Sequence, residues 1–544
     1  MFNIMTSRYA RFSNEKKSVR ANSPRECSDY IPPPRSRQKL LLATIIGSSF
    51  LLIIISLFCS SKFDYNLLLD GSRNDLNFGA VVDCGSTGTR AHIFKWSSEG
   101  DSATTPRIEL LRDELTGIAL TKHITPGLSS LQNEPHRASD YMEPIMQFIC
   151  DSVPSIRHPD TPVYFMATAG LRLLDADVQK EILTDITTDL KAKFNFPHIR
   201  SQVITGEHEG IYSWLSLNLD KIYDNLDKPF RYRSMGMIEV GGASMQVAFE
   251  ITPEVENSIR RNLKHDDAIS AFRNEQVSVS LSDMRDVKLF VATYLGLGVN
   301  SARDLAVDLL VMDYLNVTIQ SGTDLSVMKL NDYEITLSDP CLAPGSSEVV
   351  MRPIELAVGA APSLVSSQQP HKAAFKVRLQ GSGNFRNCSR TLERVLQYSK
   401  SSKLNCPPDK KSCPMDLLGE KFIPYQHFPF AGLSEMFFTT NEMIISSGEF
   451  DRSRVLTEAQ DICSSSYANL IERYSQSGLI KNQDRILHQC FRTAWLLSLL
   501  DESGLGMPTD YEDFHTMEQL DGREIDWTMG AFVSEIALND RGSP

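Results

Sequence analysis

Two short stretches carry the residue types that phosphate chemistry needs. In AVVDCGSTGTR (80–90) an apolar run ends in Asp83 and passes into Gly85, Ser86, Thr87, Gly88, Thr89 and Arg90. In GMIEVGGASMQVAFE (236–250) an apolar run again ends in an acid, Glu239, and passes into Gly241, Gly242, Ala243 and Ser244. Glycines let the backbone curl until successive N–H groups converge, and such a nest binds an anion. The hydroxyls add donors, and Arg90 adds charge or braces its turn. Two such turns facing each other suit a chain of phosphates. The paired acids suit the divalent cation that accompanies it, because hard cations take oxygen ligands and often keep bound waters. Neither stretch has the Gly-Lys-Ser/Thr of a Walker loop or the Gly-x-Gly-x-x-Gly of a dinucleotide turn.

Hydrolysis also needs a group that takes a proton from water. TGEHEGIYSW (205–214) offers Glu207 and Glu209 at the start of a helix-like run, with His208 placed as a surface residue. Glu209, followed by Gly210, is the best general-base candidate. Carboxylates at a helix start also simply favour its N-terminal dipole, and spacing alone leaves both readings open.

The elements that must hold these residues are legible nearby. GAVVD and RAHIFKW read as strands around the first turn, TPVYFMAT as a buried strand, and RSQVIT as a short one. Between the last two, Val178, Ile182, Ile186 and Leu190 recur every fourth residue, which predicts a helix. Strands alternating with helices make the class α/β. The repeated strand–acid–glycine turn–strand unit predicts two related lobes, each giving one hairpin turn to a shared cleft. Segments 252–286 and 401–416 are charged or Pro/Lys-rich and read as surface excursions.

The chain has 544 residues and a net charge of −13. Residues 1–39 hold nine Lys/Arg against three acids, so the remainder is more acidic than the total. An acidic body argues against nucleic acid as a partner, and a polyanionic substrate must be held locally. Leu40–Cys59 is an uncharged apolar run long enough to cross a bilayer. With basic residues before it and acids after it, it is expected to be a single-pass anchor with a cytoplasmic N-terminus. A cleaved signal peptide fits less well, because leader and apolar core are both long.

Six cysteines crowd the C-terminal half, which reads as disulfide bonding in an oxidising compartment. Sequential pairing, Cys341–Cys388, Cys406–Cys413 and Cys463–Cys490, is favoured among the possible connectivities. Cys84 reads as a small buried filler. Asn316 and Asn387 begin glycosylation sequons.

Together VDCGSTGTR (82–90), MATAGLRLL (166–174), ITGEHEGIYSW (204–214), IEVGGASMQ (238–246) and DWTMGAF (526–532) resemble, in order, the five signature regions of the ecto-apyrases, the nucleoside triphosphate diphosphohydrolases. KHITPGLSS (122–130) and LSEMFFTTN (433–441) are also similar. The resemblance implies the actin/sugar-kinase/heat-shock ATPase superfold, two RNase-H-like lobes around a cleft, here with one N-terminal transmembrane helix. It implies that Asp83 and Glu239 hold Ca²⁺ or Mg²⁺ through waters. Ser86 to Arg90, Thr168, Ala169 and Gly241 to Ser244 would bind phosphates. Glu209 would be the base, Ser244 and Gln246 would position the attacking water, and Trp527 and Gly530 would shape the metal and phosphate end.

The implied organisation is a basic cytoplasmic tail (1–39), the anchor (40–59), a stem (60–77), a first lobe (78–203, completed by 505–544) and a second lobe (204–504) carrying the base and the nucleobase site. The second acid of the family is usually Asp, whereas this chain has Glu239. Cys84, the Gly-Thr-Arg of the first turn and SEMFF resemble the intracellular-organelle branch. That implies a type II Golgi or ER protein with a lumenal body, cleaving UDP or GDP left by glycosyltransferases. The nucleobase is expected against aromatics of YQHFPF (425–430) or MFF (436–438). The rival readings are a non-catalytic, chaperone-like nucleotide binder of the same superfold, a kinase or polyphosphate phosphatase, and an adhesive module. Glu209 discriminates against the first, since a binder needs no base.

Overall fold

A computed structural model describes residues 76–97, 107–224, 234–280, 286–320, 334–353, 374–407, 411–443, 450–480 and 482–540. The expected anchor at 40–59 lies outside the described residues. Among those described, no helix is long and apolar enough to cross a membrane.

The first sheet grows from the first turn. β1 (Leu76–Cys84) and β2 (Thr89–Ser97) form an antiparallel hairpin in which Asp83 faces Arg90. β3 (Glu109–Leu110) and β4 (Thr121–Ile124) extend it on the β2 side. On the other side β5 (Val163–Ala167) and β6 (Ile199–Val203) add in parallel. Ala80, Val81 and Val82 are all fully buried, as a central strand covered on both faces requires. One face is covered by α1 (Ala138–Ser152) and α2 (Ala176–Lys193). α2 presents Ile182, Ile186 and Leu190 to the core at the spacing read from the sequence, while Val178 is only partly buried.

The second sheet repeats the plan. β7 (Gly236–Val240) and β8 (Ser244–Glu250) form its antiparallel hairpin. β9 (Gln276–Ser280) and β10 (Asp286–Leu295) extend the β8 side, and β14 (Phe430–Ser434) with β15 (Phe514–Thr516) add in parallel beyond β7. Each sheet is therefore a hairpin with parallel strands added on its first strand. Between the sheets lie α3 (Gly206–Asp224) and the last helix, α9 (Trp527–Asp540), which pack on each other. They share one apolar cluster with Val81 and Phe94 of the first sheet and Met237 and Leu433 of the second. The segment 505–544 is thus divided: Phe514–Thr516 joins the second sheet, while α9 packs on β1 and α3.

A three-stranded sheet of β11 (Glu334–Asp339), β13 (Ala374–Gly381) and β12 (Ser347–Pro353), together with several helices, enlarges the second lobe. The three favoured disulfides, Cys341–Cys388, Cys406–Cys413 and Cys463–Cys490, are all formed there. Cys150 is also disulfide-bonded, which the sequence reading did not foresee. Cys84 is free and buried.

The segment read as a surface excursion at 252–286 is instead built into the lobe. It forms α4 (Pro253–Asn262), α5 (Asp266–Asn274) and β9. Its charges lie on the outer faces of two amphipathic helices, while Val255 with Ile259, and Ala268 with Phe272, bury a stripe one turn apart. Likewise Cys413 and Met415 anchor the end of 401–416 in the core.

Candidate active site

The two glycine turns open into one cleft. Gly85 to Gly88 and Arg90 line it from the first sheet, and Gly241 to Ser244 from the second. Thr168 and Ala169 line it too, at the end of β5, where the chain enters a single helical turn, Ala169–Arg172. The opposing turns approach so closely that a Cβ on Gly242 would overlap the Ser86 hydroxyl. A Cβ on Gly170 would lie 2.8 Å from Ser86 Cα. Glycine at these two positions makes the close approach possible. The second turn is braced from behind by α6 (Val299–Gln320), whose Val299 and Asn300 N–H groups donate to the Gly241 and Gly242 carbonyls at 2.9 and 2.8 Å.

Seven acids line this cleft, and four of them, Asp83, Glu209, Glu239 and Asp526, are near enough to repel one another. Burial, reinforced by Asp526 and Glu209, holds Asp83 well above the usual carboxylate range. Its Oδ1 is buried with no hydrogen-bond partner among the described residues. Glu239 is pushed up to about 7 by burial and by Glu209, against the opposing pull of the Ser213 and Ser434 hydroxyls that donate to it. For Asp526 burial also pushes upward, but His92, the hydroxyl and N–H of Thr528, and Arg90 hold it below its ordinary value. His92 is itself lowered by burial. An orphaned carboxylate oxygen among mutually repelling acids fits a divalent cation. Among the described residues no three acid, His or Cys side chains converge as a direct cage, so an ion at Asp83 and Glu239 would keep waters of its own.

Glu209 sits buried in the first turn of α3, where two side chains donate to it. Arg172 does so in an ion pair. The Gln246 amide donates to the same oxygen at 3.1 Å and to the Ser244 hydroxyl at 2.7 Å. Burial raises Glu209, and Arg172 opposes the rise. A proton acceptor, an amide and a hydroxyl thus form one line ending at the second glycine turn, as the positioning of a water requires.

Some expected site residues lie elsewhere. Thr89 is fully buried within β2 and does not line the cleft. Gln246 stands behind the cleft wall and acts on it through Glu209 and Ser244. Gly530 lies in α9 outside the cleft lining, where a Cβ would overlap the Tyr212 carbonyl of α3, so its glycine permits that helix packing. Trp527 does line the cleft and stacks on Tyr212 at 6.5 Å. Of the aromatics, Phe437 and Phe438 line the cleft, whereas Tyr425 and Phe430 are core. Asn316 and Asn387 are exposed on helices.

Arg172, Ser213, Ser434 and Asp526 were not assigned from the sequence. Arg172 and Asp526 lie inside the quoted motifs, so their charge beside the motif acids was the available signal. Ser213 and Ser434 also lie inside quoted stretches (204–214 and 433–441), but a hydroxyl carries no charge to single it out.

Residues 70–540 match the model of the GDA1/CD39 (nucleoside phosphatase) family. The chain is 30% identical over 492 residues to human ectonucleoside triphosphate diphosphohydrolase 7, covering 85% of this chain and 74% of that protein. It is 27% identical over 476 residues to the nucleoside-diphosphatase mig-23 of Caenorhabditis elegans, covering 84% and 76% respectively. A crystal structure of nucleoside triphosphate hydrolases from Neospora caninum shares the fold, with a TM-score of 0.58 and 14% identity over 90% of this chain and 97% of that one. The chain belongs to the GDA1/CD39 family and is a nucleoside tri- or diphosphate hydrolase.

Proposed function

We propose that this hydrolase removes the terminal phosphate of nucleoside diphosphates, UDP and GDP foremost, and of the matching triphosphates, by in-line attack of a water deprotonated by Glu209. The observation that carries the reading is the Glu209–Gln246–Ser244 line ending between two facing glycine turns. The water oxygen bonds to the terminal phosphorus, the bridging P–O bond breaks, and the water's proton passes to Glu209. The first turn, Ser86 to Gly88 with Arg90, and Thr168–Ala169 hold phosphate oxygens from one side, and Gly241 to Ser244 from the other. Most of the acceleration comes from holding the reactants in line.

Asp83 and Glu239, with Asp526 nearby, would hold Ca²⁺ or Mg²⁺ through waters. The ion would neutralise charge on the phosphate oxygens. Phe437 and Phe438 offer the nucleobase an apolar face. The shared plan of the two sheets supports reading them as RNase-H-like lobes of the actin/sugar-kinase/heat-shock ATPase superfold. The likeness to the nucleoside-diphosphatase mig-23 supports a diphosphate substrate. A Golgi or ER lumenal address rests on the Gly-Thr-Arg turn, the SEMFF segment, the expected anchor at 40–59 and the three disulfides.

The test is phosphate release by the full chain across UDP, GDP, ADP, CDP and their triphosphates, with Ca²⁺, Mg²⁺ or chelator, beside Glu209→Gln. Turnover is expected to fall by about 10²–10⁴-fold in the variant, with nucleotide binding retained. Undiminished turnover would remove Glu209 from the mechanism. Binding without turnover in the wild type would leave the non-catalytic binder.

A further inference from the structure

The chain's two hairpins carry their acids differently. Asp83 leaves an oxygen without a hydrogen-bond partner among the described residues, whereas both oxygens of Glu239 are held. Ser434 at the end of β14 donates to Oε1 at 2.8 Å, and Ser213 of α3 donates to Oε2. Both serines lie on elements outside the β7–β8 hairpin. We propose that Ser213 and Ser434 are positioning residues that fix the Glu239 carboxylate from opposite sides, and that this hydroxyl pair is what makes a side chain one methylene longer than Asp83 serviceable as the second acid of the cleft. The proposal rests on the reading of Glu239 as a cation-binding acid given above.

Two further observations show that the position of Ser434 is imposed. Its backbone lies at φ 56°, ψ −119°, a region that side chains other than glycine rarely adopt. Such strain persists only where the surroundings over-determine it. The next residue supplies the constraint. Glu435 accepts from Arg492 at 2.5 Å, which ties the start of α7 (Glu435–Asn441) to α8 (Gln489–Leu500), and from Arg485 of the short helix Gln483–Leu487 at 3.2 Å. α8 is buried throughout and stapled through Cys463–Cys490. Ser213 is buried one turn after Glu209, so a single helix face sets the place of both the base and the held acid. Partners outside the immediate ligand set orient a ligating group, and their loss typically weakens metal binding without removing a ligand.

An aspartate in place of Glu239 would withdraw its carboxylate from both hydroxyls, so the proposal predicts a specific non-additivity. Mn²⁺ binding to the full chain, read by electron paramagnetic resonance without nucleotide, is measured in wild type, Ser213→Ala/Ser434→Ala, Glu239→Asp, the triple variant and Glu239→Ala. The serine pair is expected to cost about tenfold in Mn²⁺ affinity with Glu239 present and less than about twofold in the Glu239→Asp background. Ser434→Gly relaxes the strained backbone while removing the hydroxyl. It should lose affinity as Ser434→Ala does, without melting lower, which separates positioning from stability. Equal losses in the wild-type and Glu239→Asp backgrounds, or no loss in the first, would overturn the positioning role. Full Mn²⁺ affinity in Glu239→Ala would overturn the cation reading, and this proposal with it.

Discussion

Glu239→Gln should make the metal-free protein more stable at neutral pH while abolishing its use of a divalent ion. In the fold Glu239 titrates at about 7 against an ordinary 4.5, because burial, and then Glu209, penalises its charge. Below pH 4.5 it is protonated in both the folded and unfolded chains, and the fold suffers nothing. Between 4.5 and about 7 the unfolded chain releases the proton and the fold keeps it, so stability falls as pH rises and then levels off. A gap of about 2.5 pH units corresponds to something on the order of 3 kcal/mol. Glutamine is neutral throughout, nearly isosteric, and its carbonyl can still accept from one of the two serines.

The two proteins should therefore melt together below pH 4.5 in chelator, and the variant should melt a few degrees higher above pH 7. Added Ca²⁺ should raise the wild-type melting temperature and leave the variant unmoved. Coincident melting across the whole range would refute the argument that this acid is held at a cost, and a less stable variant above pH 7 would reverse it.

Other perturbations read other parts of the site. Arg172→Met removes the charge that opposes the rise of Glu209, so the acidic limb of the rate–pH profile should move to higher pH, with activity surviving on the alkaline side. Gly242→Ala places a Cβ against the Ser86 hydroxyl. It should cut kcat/KM by at least about tenfold with little change in melting, since the hydroxyl can swing away but the cradle is then filled. Gly530→Ala meets the Tyr212 backbone carbonyl, which cannot swing. It should cost about 1–3 kcal/mol of stability, read as a lower melting temperature with or without nucleotide. Replacing Cys463 and Cys490 removes the staple behind α8 and should cost about 2–5 kcal/mol, read by chemical denaturation.

The hairpins were legible because each carries its signal locally. The apolar residues before Asp83 read as a strand, and the glycines after it announce a turn. The recurrence at Glu239 then gave the two-lobe plan without any long-range information. α2 was legible for the same reason, through the fourfold spacing of Ile182, Ile186 and Leu190. The excursion at 252–286 was misread because its composition is dominated by the charges of its outer faces, whereas the buried residues number only a few per helix. The serines at 213 and 434 were invisible for a different reason. They meet Glu239 across separations of 26 and 195 residues, and a hydroxyl has no periodicity or charge that marks it in advance. Gly530 carried a correct signal, close approach, whose partner only the packing reveals.

The placement of these residues also explains what the paired sheets are for. The first sheet contributes Asp83 and the proposed phosphate donors of its turn. The second contributes Glu239, Ser244 and Gln246. The proposed base belongs to neither sheet: Glu209 rides on α3, which lies between them and packs on α9. Its distance from Gln246 and from Asp83 is therefore set by how α3 seats in the shared apolar cluster, among Val81, Met237, Trp527 and Phe532. A base on a strand or turn would move with one lobe. A base on the intervening helix is aligned only when both lobes are packed, so substitutions of the cluster residues outside the cleft lining, such as Met237 and Phe532, should impair turnover without touching any residue of the cleft. Gly530→Ala is the sharpest case, because it pushes on α3 at Tyr212, the residue before Ser213, from a position outside the cleft lining.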